Sequence, residues 1–196
     1  MFHNMPEAVR SAMKQLEELD KQDRLDGTPH SLRLRQIPRE TGQLLAILAA
    51  SAPLGLCLEI GTSGGYSTLW LGVACREMGR RIITIEISEE KARSARRTFA
   101  ATGLDGTIEC VTGDARELLK YYRNISFCFL DADKEVYSDC YEEIVARMVS
   151  GGLLVADNIL SHAGALESFT ERALHDNRVD ALVIPVGTGE LVCRKI

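Results

Sequence analysis

The most constraining feature of this sequence is a short apolar segment that runs into a glycine-rich turn. The segment, Leu56–Ile60, is bounded by glycine on both sides and is too short for a typical helix, which favours a buried strand. Three glycines then fall within five positions, at Gly61, Gly64 and Gly65. Glycine lets a backbone turn sharply and lets a ligand contact the main chain. Because a helix-like segment follows, the stretch predicts a strand–loop–helix unit with a nucleotide-like ligand at the loop.

Two cofactors fit such a loop, and the spacing of the glycines distinguishes between them. Loops that bind dinucleotides read G-x-G-x-x-G, which places a pyrophosphate on the first free amides of the helix. This loop reads G-x-x-G-G, with Thr62 and Ser63 after the first glycine and the carboxylate of Glu59 two residues before it. A carboxylate there repels a pyrophosphate and attracts an ammonium group, which favours S-adenosylmethionine. A strand-to-helix turn without a ligand remains the alternative, because a single glycine loop is a weak signal.

Length, charge and composition exclude several classes of protein. With 196 residues, 45% of them hydrophobic, the chain is long enough for one sizeable core and too short to expect two. The net charge is −5 and there is no long basic run, so we expect no nucleic-acid or membrane partner. The first residues lack a basic region followed by an apolar one, and no apolar run reaches the roughly 18 residues of a membrane span. We therefore expect a soluble, cytoplasmic protein.

The cysteines support the same compartment. There are six of them, they form no C-x-x-C pair, and several lie inside apolar runs. Reduced thiols are therefore expected, rather than a disulfide framework or a zinc site.

The amino-terminal region predicts an amphipathic helix followed by a polar linker. From Pro6 onward, apolar side chains recur at helical spacing among charged ones, and the domain or a partner subunit has to cover them. The linker leads to Arg33, Arg35 and Arg39. The simpler interpretation is that these arginines lie on a solvated surface, and the alternative is that they contact an anionic substrate. We divide the chain into an N-terminal helix with a substrate-side or interface segment, residues 1–36, and a main domain, residues 37–196.

After the glycine loop the chain alternates between strand-like and helix-like segments. The predicted strands lie at 81–87, 107–111, 126–130 and 153–156, and the predicted helices lie at 88–103, 114–121, 135–148 and 163–175. Two final strand-like runs, 178–186 and 190–195, are joined by a short glycine-containing link and predict a hairpin. The pattern predicts a single-domain α/β fold: a mostly parallel sheet, helices on both faces and a C-terminal antiparallel hairpin. Ligands of such sheets gather beyond the carboxyl ends of the strands.

Acidic residues at two predicted strand ends are candidates for contacts with a nucleoside. Glu86 ends the second strand, where a carboxylate can accept hydrogen bonds from both hydroxyls of a ribose. Asp114 follows the third strand. At that position its carboxylate can accept a hydrogen bond from an adenine amino group. Capping of the next helix is an equally good interpretation of Asp114, and the two roles do not exclude each other.

Three further polar residues follow the next two strands and form a candidate metal site. Asp131 follows the fourth strand, and Asp157 and Asn158 follow the fifth. Neighbouring strand ends lie about 5 Å apart, so two carboxylates and an amide can converge there. Such oxygen ligands suit magnesium, manganese or calcium better than zinc. Capping of helices and of loop amides is the alternative interpretation.

Several stretches together resemble the cation-dependent catechol and caffeoyl-CoA type O-methyltransferases, over about residues 37–196. They are Leu58-Glu59-Ile60-Gly61-Thr62-Ser63-Gly64-Gly65-Tyr66-Ser67, Ile83-Thr84-Ile85-Glu86, Gly113-Asp114-Ala115, Phe129-Leu130-Asp131-Ala132-Asp133-Lys134 and Ala156-Asp157-Asn158. The closing Pro185-Val186-Gly187-Thr188-Gly189-Glu190-Leu191 also resembles the terminal hairpin of that family. Any one stretch is weak, but the combination is specific.

The resemblance implies a class I S-adenosylmethionine-dependent O-methyltransferase with a Rossmann-like, seven-stranded sheet. The methionine end of the cofactor, its ribose and its adenine are then expected along the glycine loop, at Glu86 and at Asp114. The implied cofactor site consists of Glu59, Gly61, Thr62, Ser63, Gly65, Tyr66, Ser67, Glu86, Ile87, Asp114, Ala115 and Asp131.

The same resemblance places a divalent ion, Mg²⁺ or alternatively Mn²⁺ or Ca²⁺, on Asp131, Asp157 and Asn158. It makes Lys134 the general base, for which an ion pair with Asp131 or Asp133 is the structural alternative. The implied reaction is methyl transfer to a hydroxyl of a small, catechol-like aromatic substrate, and the implied assembly is a homodimer.

Other classes remain open at this point. A nicotinamide-dependent dehydrogenase shares the fold type but requires a different glycine spacing. A nucleic-acid amino-methyltransferase is expected to carry Asn-Pro-Pro-Tyr after the fourth strand, where this chain has Asp131-Ala132-Asp133-Lys134. A catalytically silent cofactor-binding protein is the third alternative.

Overall fold

A seven-stranded sheet forms the centre of the protein in the computed structural model, which describes residues 1–29 and 32–196. The strands, in chain order, are β1 Leu56–Ile60, β2 Ile82–Glu86, β3 Ile108–Thr112, β4 Ile125–Leu130, β5 Met148–Ala156, β6 Val179–Ile184 and β7 Glu190–Lys195. Their spatial order is β3-β2-β1-β4-β5-β7-β6. Strands β1 to β5 are parallel, and β7 lies antiparallel between β5 and β6. The predicted α/β fold with a C-terminal antiparallel hairpin is confirmed.

Helices connect the strands and cover the sheet. They are α1 Glu7–Leu25, α2 Arg39–Ser51, α3 Tyr66–Glu77, α4 Glu89–Ala101, α5 Ala115–Leu118, α6 Tyr137–Val145 and α7 Ala163–Leu174, with 3₁₀ turns at Leu119–Tyr121 and Lys134–Val136. Helix α4 is capped by Ser88, the residue at which the sequence predicts this helix to begin, since the Ser88 side chain accepts a hydrogen bond from the Lys91 amide. Among the described residues, no helix combines the length and the apolar composition needed to cross a membrane.

The alternation of side chains along the strands produces two apolar layers, one on each face of the sheet. In β4, Phe127 and Phe129 point into the layer that contains α1 to α4, whereas Cys128 and Leu130 point into the layer that contains α5 to α7. All four side chains are fully buried. The predicted placement of helices on both faces is therefore confirmed.

Helix α1 is covered by the domain itself. Its apolar residues Val9, Met13 and Leu16 are buried in the same cluster as Trp70 of α3. The division of the chain at residue 36 stays a prediction.

The predicted boundary between α6 and β5 is wrong. The sequence predicts a helix to residue 148 and a strand from 153, but α6 ends at Val145 and β5 begins at Met148. The cause is an irregularity in pairing, because Met148 lies opposite Ile125 and Leu153 lies opposite Phe127. Glycines in the extra segment look like a turn in the sequence but belong to a bulged strand.

Candidate active site

A cavity of about 390 Å³ opens at the carboxyl ends of the parallel strands. The position agrees with the general location of ligand sites in open α/β sheets. Twelve of the predicted site residues line it: Gly61, Thr62, Ser63, Ser67, Glu86, Ile87, Asp114, Ala115, Asp131, Lys134, Asp157 and Asn158. Glu59, Gly65 and Tyr66 do not belong to this lining.

The glycine loop packs so closely on the end of β4 that its first glycine has no room for a side chain. Gly61 has a φ of +98°, and a Cβ atom on it would lie 2.0 Å from the carbonyl oxygen of Asp131. Gly65, with a φ of +89°, precedes α3 and packs against the ring of Phe99. Glycine is therefore required at both positions for packing as well as for backbone conformation. The close approach brings the loop next to Asp131.

Glu86 holds the loop in place. Its Oε2 accepts hydrogen bonds from the amides of Thr62 (3.2 Å) and Ser63 (2.7 Å), and its Oε1 accepts one from the amide of Ser88 (2.9 Å). The side chain is almost fully buried but still lines the cavity. Oε2 already accepts two hydrogen bonds, whereas Oε1 accepts one and keeps a second lone pair, so a predicted contact with a ribose hydroxyl at Oε1 is chemically compatible with these bonds.

Glu59 lies behind the loop, inside the protein. It is fully buried, and its Oε2 accepts hydrogen bonds from the hydroxyls of Thr68 and Thr84. The Thr62 hydroxyl lies 2.6 Å from that of Thr84, so a chain of hydroxyls connects Glu59 to the loop. Burial raises the pKa of Glu59 to about 7. The predicted contact between Glu59 and a cofactor stays a prediction, because this side chain supports the cavity wall from behind.

Tyr66 is also a supporting residue. Its ring is buried against Trp70, and its hydroxyl donates a hydrogen bond of 2.6 Å to Glu17 of α1. The residue thereby ties α1 to the start of α3, where the glycine loop ends. Its predicted contact with the cofactor stays a prediction.

Asp114 caps the helix that follows it. Its Oδ1 accepts a hydrogen bond from the Arg116 amide at 2.9 Å, and its Oδ2 lies 2.6 Å from Nη2 of the Arg116 guanidinium. This arginine lowers the pKa of Asp114. The capping interpretation is confirmed, and the proposed role toward adenine stays a prediction.

The residues predicted as metal ligands meet at the ends of β4 and β5, and we call Asp131, Asp157 and Asn158 the acidic corner. The Asn158 Nδ2 donates to Asp131 Oδ1 at 2.9 Å. Asp157 Oδ1 accepts from the Asn158 amide at 2.5 Å and from the hydroxyl of Thr188. Burial, followed by the Asp157 carboxylate, raises the pKa of Asp131 to about 6. A carboxylate whose charge is disfavoured by burial and by a second carboxylate provides a suitable environment for a cation.

The donor set of the acidic corner fits a hard divalent ion. It offers carboxylate oxygens from Asp131 and Asp157 and an amide oxygen from Asn158, as such ions prefer. Among the described residues, no group of three or more His, Cys, Asp or Glu side chains is arranged to hold a metal. The acidic corner contributes two side chains of these types, and its third donor is an amide. Binding through Asn158 requires its oxygen, rather than its nitrogen, to face the ion.

Lys134 reaches into this corner. Its Nζ lies 3.3 Å from Asp131 Oδ1, donates to the Ala132 carbonyl at 3.0 Å and lies 2.9 Å from the hydroxyl of Tyr137. The tyrosine hydroxyl in turn donates to the Asp157 carbonyl at 3.2 Å. The ion pair with Asp131 that was the structural alternative for Lys134 is thus present, and it holds the amine beside the acidic corner.

Two parts of the cavity wall were not among the predicted site residues. Thr188, which supports Asp157, lies in a link that the sequence identifies only as a hairpin turn. The second part is the segment 33–38, which we call the strap and which lines the mouth of the cavity. Its arginines were noted in the sequence, but their place depends on long-range hydrogen bonds that no local pattern encodes.

Comparison with known proteins agrees with this architecture. The sequence model of a family described as O-methyltransferase matches residues 9–196. A catechol O-methyltransferase of Niastella koreensis is 32% identical over 143 residues, which cover 70% of this chain and 64% of that relative. A catechol O-methyltransferase of Mycobacterium tuberculosis is 31% identical over 132 residues, which cover 66% and 60% of the two chains. The match therefore spans less than two thirds of the length of these two relatives. Caffeoyl-CoA O-methyltransferase 2 of Populus trichocarpa is 26% identical over 209 aligned positions, covering 94% of this chain and 81% of the relative.

Solved structures show the same fold. The O-methyltransferase from Bacillus cereus in complex with SAH has a TM-score of 0.78 and 25% identity, over 94% of this chain and 91% of that one. TomG from Streptomyces achromogenes, in complex with SAM, has a TM-score of 0.78 and 26% identity, over 97% and 90% of the two chains. With a family sequence model that spans α1 to β7, this chain belongs to the O-methyltransferase family.

Proposed function

We propose that this protein transfers a methyl group from S-adenosylmethionine to a hydroxyl of a small aromatic substrate with two adjacent hydroxyls, assisted by a divalent ion. The observation that carries the proposal is the position of Lys134 and the acidic corner in the same cavity as the glycine loop. The donor and the acceptor of a methyl group can therefore meet within one enclosed space. Names of relatives, which include catechol and caffeoyl-CoA O-methyltransferases, support this assignment.

The cofactor would lie along the loop edge of the sheet. Ser67 offers a hydroxyl beside Gly61 for the methionine end, while Glu86 offers carboxylate oxygens for the ribose. Ile87 and Ala115 provide apolar surface next to Asp114, on the adenine side. These residues would bind the cofactor, with its sulfonium on the side of Asp131, which follows β4 directly and lies close to Gly61.

The acidic corner would hold the divalent ion through Asp131, Asp157 and Asn158. Such an ion, when bound, supplies a Lewis acid that lowers the pKa of a coordinated hydroxyl. Mg²⁺ is the first choice for oxygen ligands, with Mn²⁺ and Ca²⁺ as alternatives.

Lys134 would act as the general base. In its neutral form, its Nζ accepts the proton of the substrate hydroxyl, and the Ala132 carbonyl and the Tyr137 hydroxyl keep that atom in position. The resulting phenolate oxygen forms a bond to the methyl carbon while the carbon–sulfur bond breaks. The products are the methyl ether and S-adenosylhomocysteine, and alignment of the two reactants provides much of the acceleration.

Two measurements test this function. Calorimetric titration with S-adenosylmethionine and with S-adenosylhomocysteine should show binding. Mass-spectrometric detection of methylated catechol should show turnover that depends on magnesium and stops with a chelator. Cofactor binding without metal-dependent turnover would favour a silent cofactor-binding protein, and an Asp131→Ala variant with full metal-stimulated activity would refute the proposed site.

Assembly and compartment complete the proposal. The family resemblance leads us to propose a homodimer. Analytical ultracentrifugation, which measures the mass of the assembly in solution, tests this proposal. A reducing, cytoplasmic environment is proposed from the cysteines, all six of which are free thiols.

A further inference from the structure

The strap is fastened over the mouth of the cavity by side chains from other elements. The Ser63 hydroxyl donates to the Leu34 carbonyl at 2.6 Å. Asp20 Oδ1 accepts from the Gln36 amide at 3.1 Å, and Asp23 Oδ2 accepts from the Leu34 amide at 3.1 Å. These bonds hold the strap backbone, so that Arg33 and Arg35 line the cavity.

Six of the twelve charged side chains that line the cavity are neutralised by a close partner. Ion pairs of 2.6 to 3.3 Å are formed by Arg24 with Asp20, by Arg116 with Asp114 and by Lys134 with Asp131. Two further acidic residues of the lining, Glu86 and Asp157, accept hydrogen bonds from backbone amides.

Three cations of the lining are different, and we call Arg33, Arg35 and Lys91 the cationic group. Among the described residues, Arg35 forms a salt bridge with Asp133. The distance between Arg35 Nη2 and Asp133 Oδ1 is 3.9 Å, which is too long for a hydrogen bond. Arg33 and Lys91 use carbonyl oxygens instead, those of Thr28 and Arg33. Burial and then the charge of Arg35 lower the pKa of Lys91, and the nearby carboxylates of Glu86, Asp133 and Asp23 offset part of this effect. An anion bound here would relieve this repulsion.

Arg35 is the member of the cationic group that lies nearest the part of the cavity where the acceptor would lie. Asp133, beside Arg35, is only two positions from Asp131 of the acidic corner. An acceptor whose hydroxyls face the acidic corner can therefore direct its other end toward Arg35.

We infer that Arg35, with Arg33 and Lys91, binds an anionic group of the methyl acceptor, so that the preferred substrate is a catechol that carries a carboxylate or a phosphate. This inference rests on the proposed function and specifies its substrate class. Arg35 is the most exposed of the three side chains, and its guanidinium matches either anion with paired donors.

Acceptors of equal ring chemistry and different charge test the inference. We would compare 3,4-dihydroxybenzoate, neutral catechol and cationic dopamine, together with a 3,4-dihydroxycinnamoyl-CoA thioester, which distinguishes a carboxylate from a phosphate as the anion. For the wild type, we expect kcat/KM to be about 10- to 100-fold higher for the better anionic acceptor than for dopamine, mainly through KM, as expected for one charge-assisted contact. Similar kcat/KM for all charges would overturn the inference.

Variants assign the effect to Arg35. Arg35→Glu should lower kcat/KM for the anionic acceptor about 10- to 100-fold, change neutral catechol little and improve dopamine. Lys91→Ala should give a smaller loss in the same direction. Arg97→Glu, an equal charge change at an exposed residue of α4 outside the cavity lining, is the matched control and should behave as the wild type.

Two further results would overturn the inference. An equal loss for all acceptors, together with weaker binding of S-adenosylhomocysteine, would assign the cationic group to the cofactor carboxylate. If no acceptor is methylated, the proposed function fails. Binding of 3,4-dihydroxybenzoate, measured by titration in the presence of S-adenosylhomocysteine, then still tests the inference. Binding that Arg35→Glu abolishes supports it, and absent or equal binding overturns it.

Discussion

The side-chain nitrogen Nδ2 of Asn158 lies 2.9 Å from Oδ1 of Asp131, although the two residues are 27 positions apart in the chain. The pairing of β4 with β5 produces this contact, since Leu130 lies opposite Ala156, Asp131 follows Leu130 directly and Asn158 is the second residue after Ala156. Asn158 has a φ of +69°, a left-handed conformation that asparagine tolerates better than most residues.

The acidic corner should lose its affinity for divalent ions when a carboxylate becomes an amide. Asp157→Asn removes a charge without a change of shape, so we expect Mn²⁺ affinity to fall by at least about 10-fold, the lower end of what loss of an outer partner costs. Electron paramagnetic resonance of free Mn²⁺ measures this affinity. Asp139→Asn, at an exposed position of α6, is the control. Unchanged Mn²⁺ binding in Asp157→Asn would exclude the site.

Replacement of Lys134 should affect the chemical step. Lys134→Met removes the base, and we expect kcat to fall by about 10²- to 10⁴-fold with little change in KM for the acceptor. Lys134→Arg keeps the positive charge beside Asp131 but provides no base at neutral pH, so it should lose a similar factor. Single-turnover rates measure the step, with Lys120→Met at an exposed position as the control. Wild-type kcat in the arginine variant would reduce Lys134 to an ion-pair partner.

A methyl group at Gly61 should displace the loop from β4. The Cβ atom of Gly61→Ala would lie 2.0 Å from the Asp131 carbonyl oxygen, a contact that only a backbone shift relieves. Gly103→Ala is a matched control, because Gly103 also has a positive φ, +65°, but has no atom within 4 Å of an added Cβ. We expect the control to cost about 1–2 kcal/mol of unfolding free energy and Gly61→Ala to cost more. Urea denaturation measures both, and equal losses would contradict the steric explanation.

The buried carboxyl of Glu190 should make stability depend on pH. Its side chain is fully buried, and neither oxygen has a hydrogen-bond partner within the described part of the chain. Burial, followed by the Asp157 carboxylate, raises its pKa to about 10 from 4.5. The folded state therefore retains a proton that the unfolded chain releases above about pH 4.5, and this group costs stability as the pH rises from there toward 10.

Glu190→Gln removes this titration while it keeps the shape of the side chain. Compared with the wild type, the variant should be similar in unfolding free energy at pH 4 and more stable at pH 8, by about 1–3 kcal/mol, the usual cost of a buried group without partners. Urea titrations at both pH values measure the difference. A variant that is less stable at pH 8 would show that the carboxylate is charged and paired in the native state.

The parts of the fold that local signals specify could be predicted from the sequence. Glycine on both sides of Leu56–Ile60 gave the bounds of β1 correctly. The start of β5 at Met148 could not be predicted, because Gly151 and Gly152 resemble a turn, whereas their neighbours pair with β4 across a bulge.

The candidate site was predictable to a similar degree. Asp131 and Asp157 follow directly after strands, so their convergence required only the order of a parallel sheet. The position of Glu59 depends on which face of β1 it occupies, and it faces Thr68 of α3 rather than the cavity. The strap depends on Asp20 and Ser63, which are distant from it in sequence.

The three amides that Glu86 binds have a consequence for recognition. The Glu86 carboxylate orders the glycine loop when the protein folds, through the amides of Thr62 and Ser63. The loop therefore loses its conformational entropy before any ligand arrives. A nucleotide that docks on this surface meets a preorganised wall. Its affinity is then determined by its own contacts and by the water it displaces, and is not reduced by the ordering of a mobile segment.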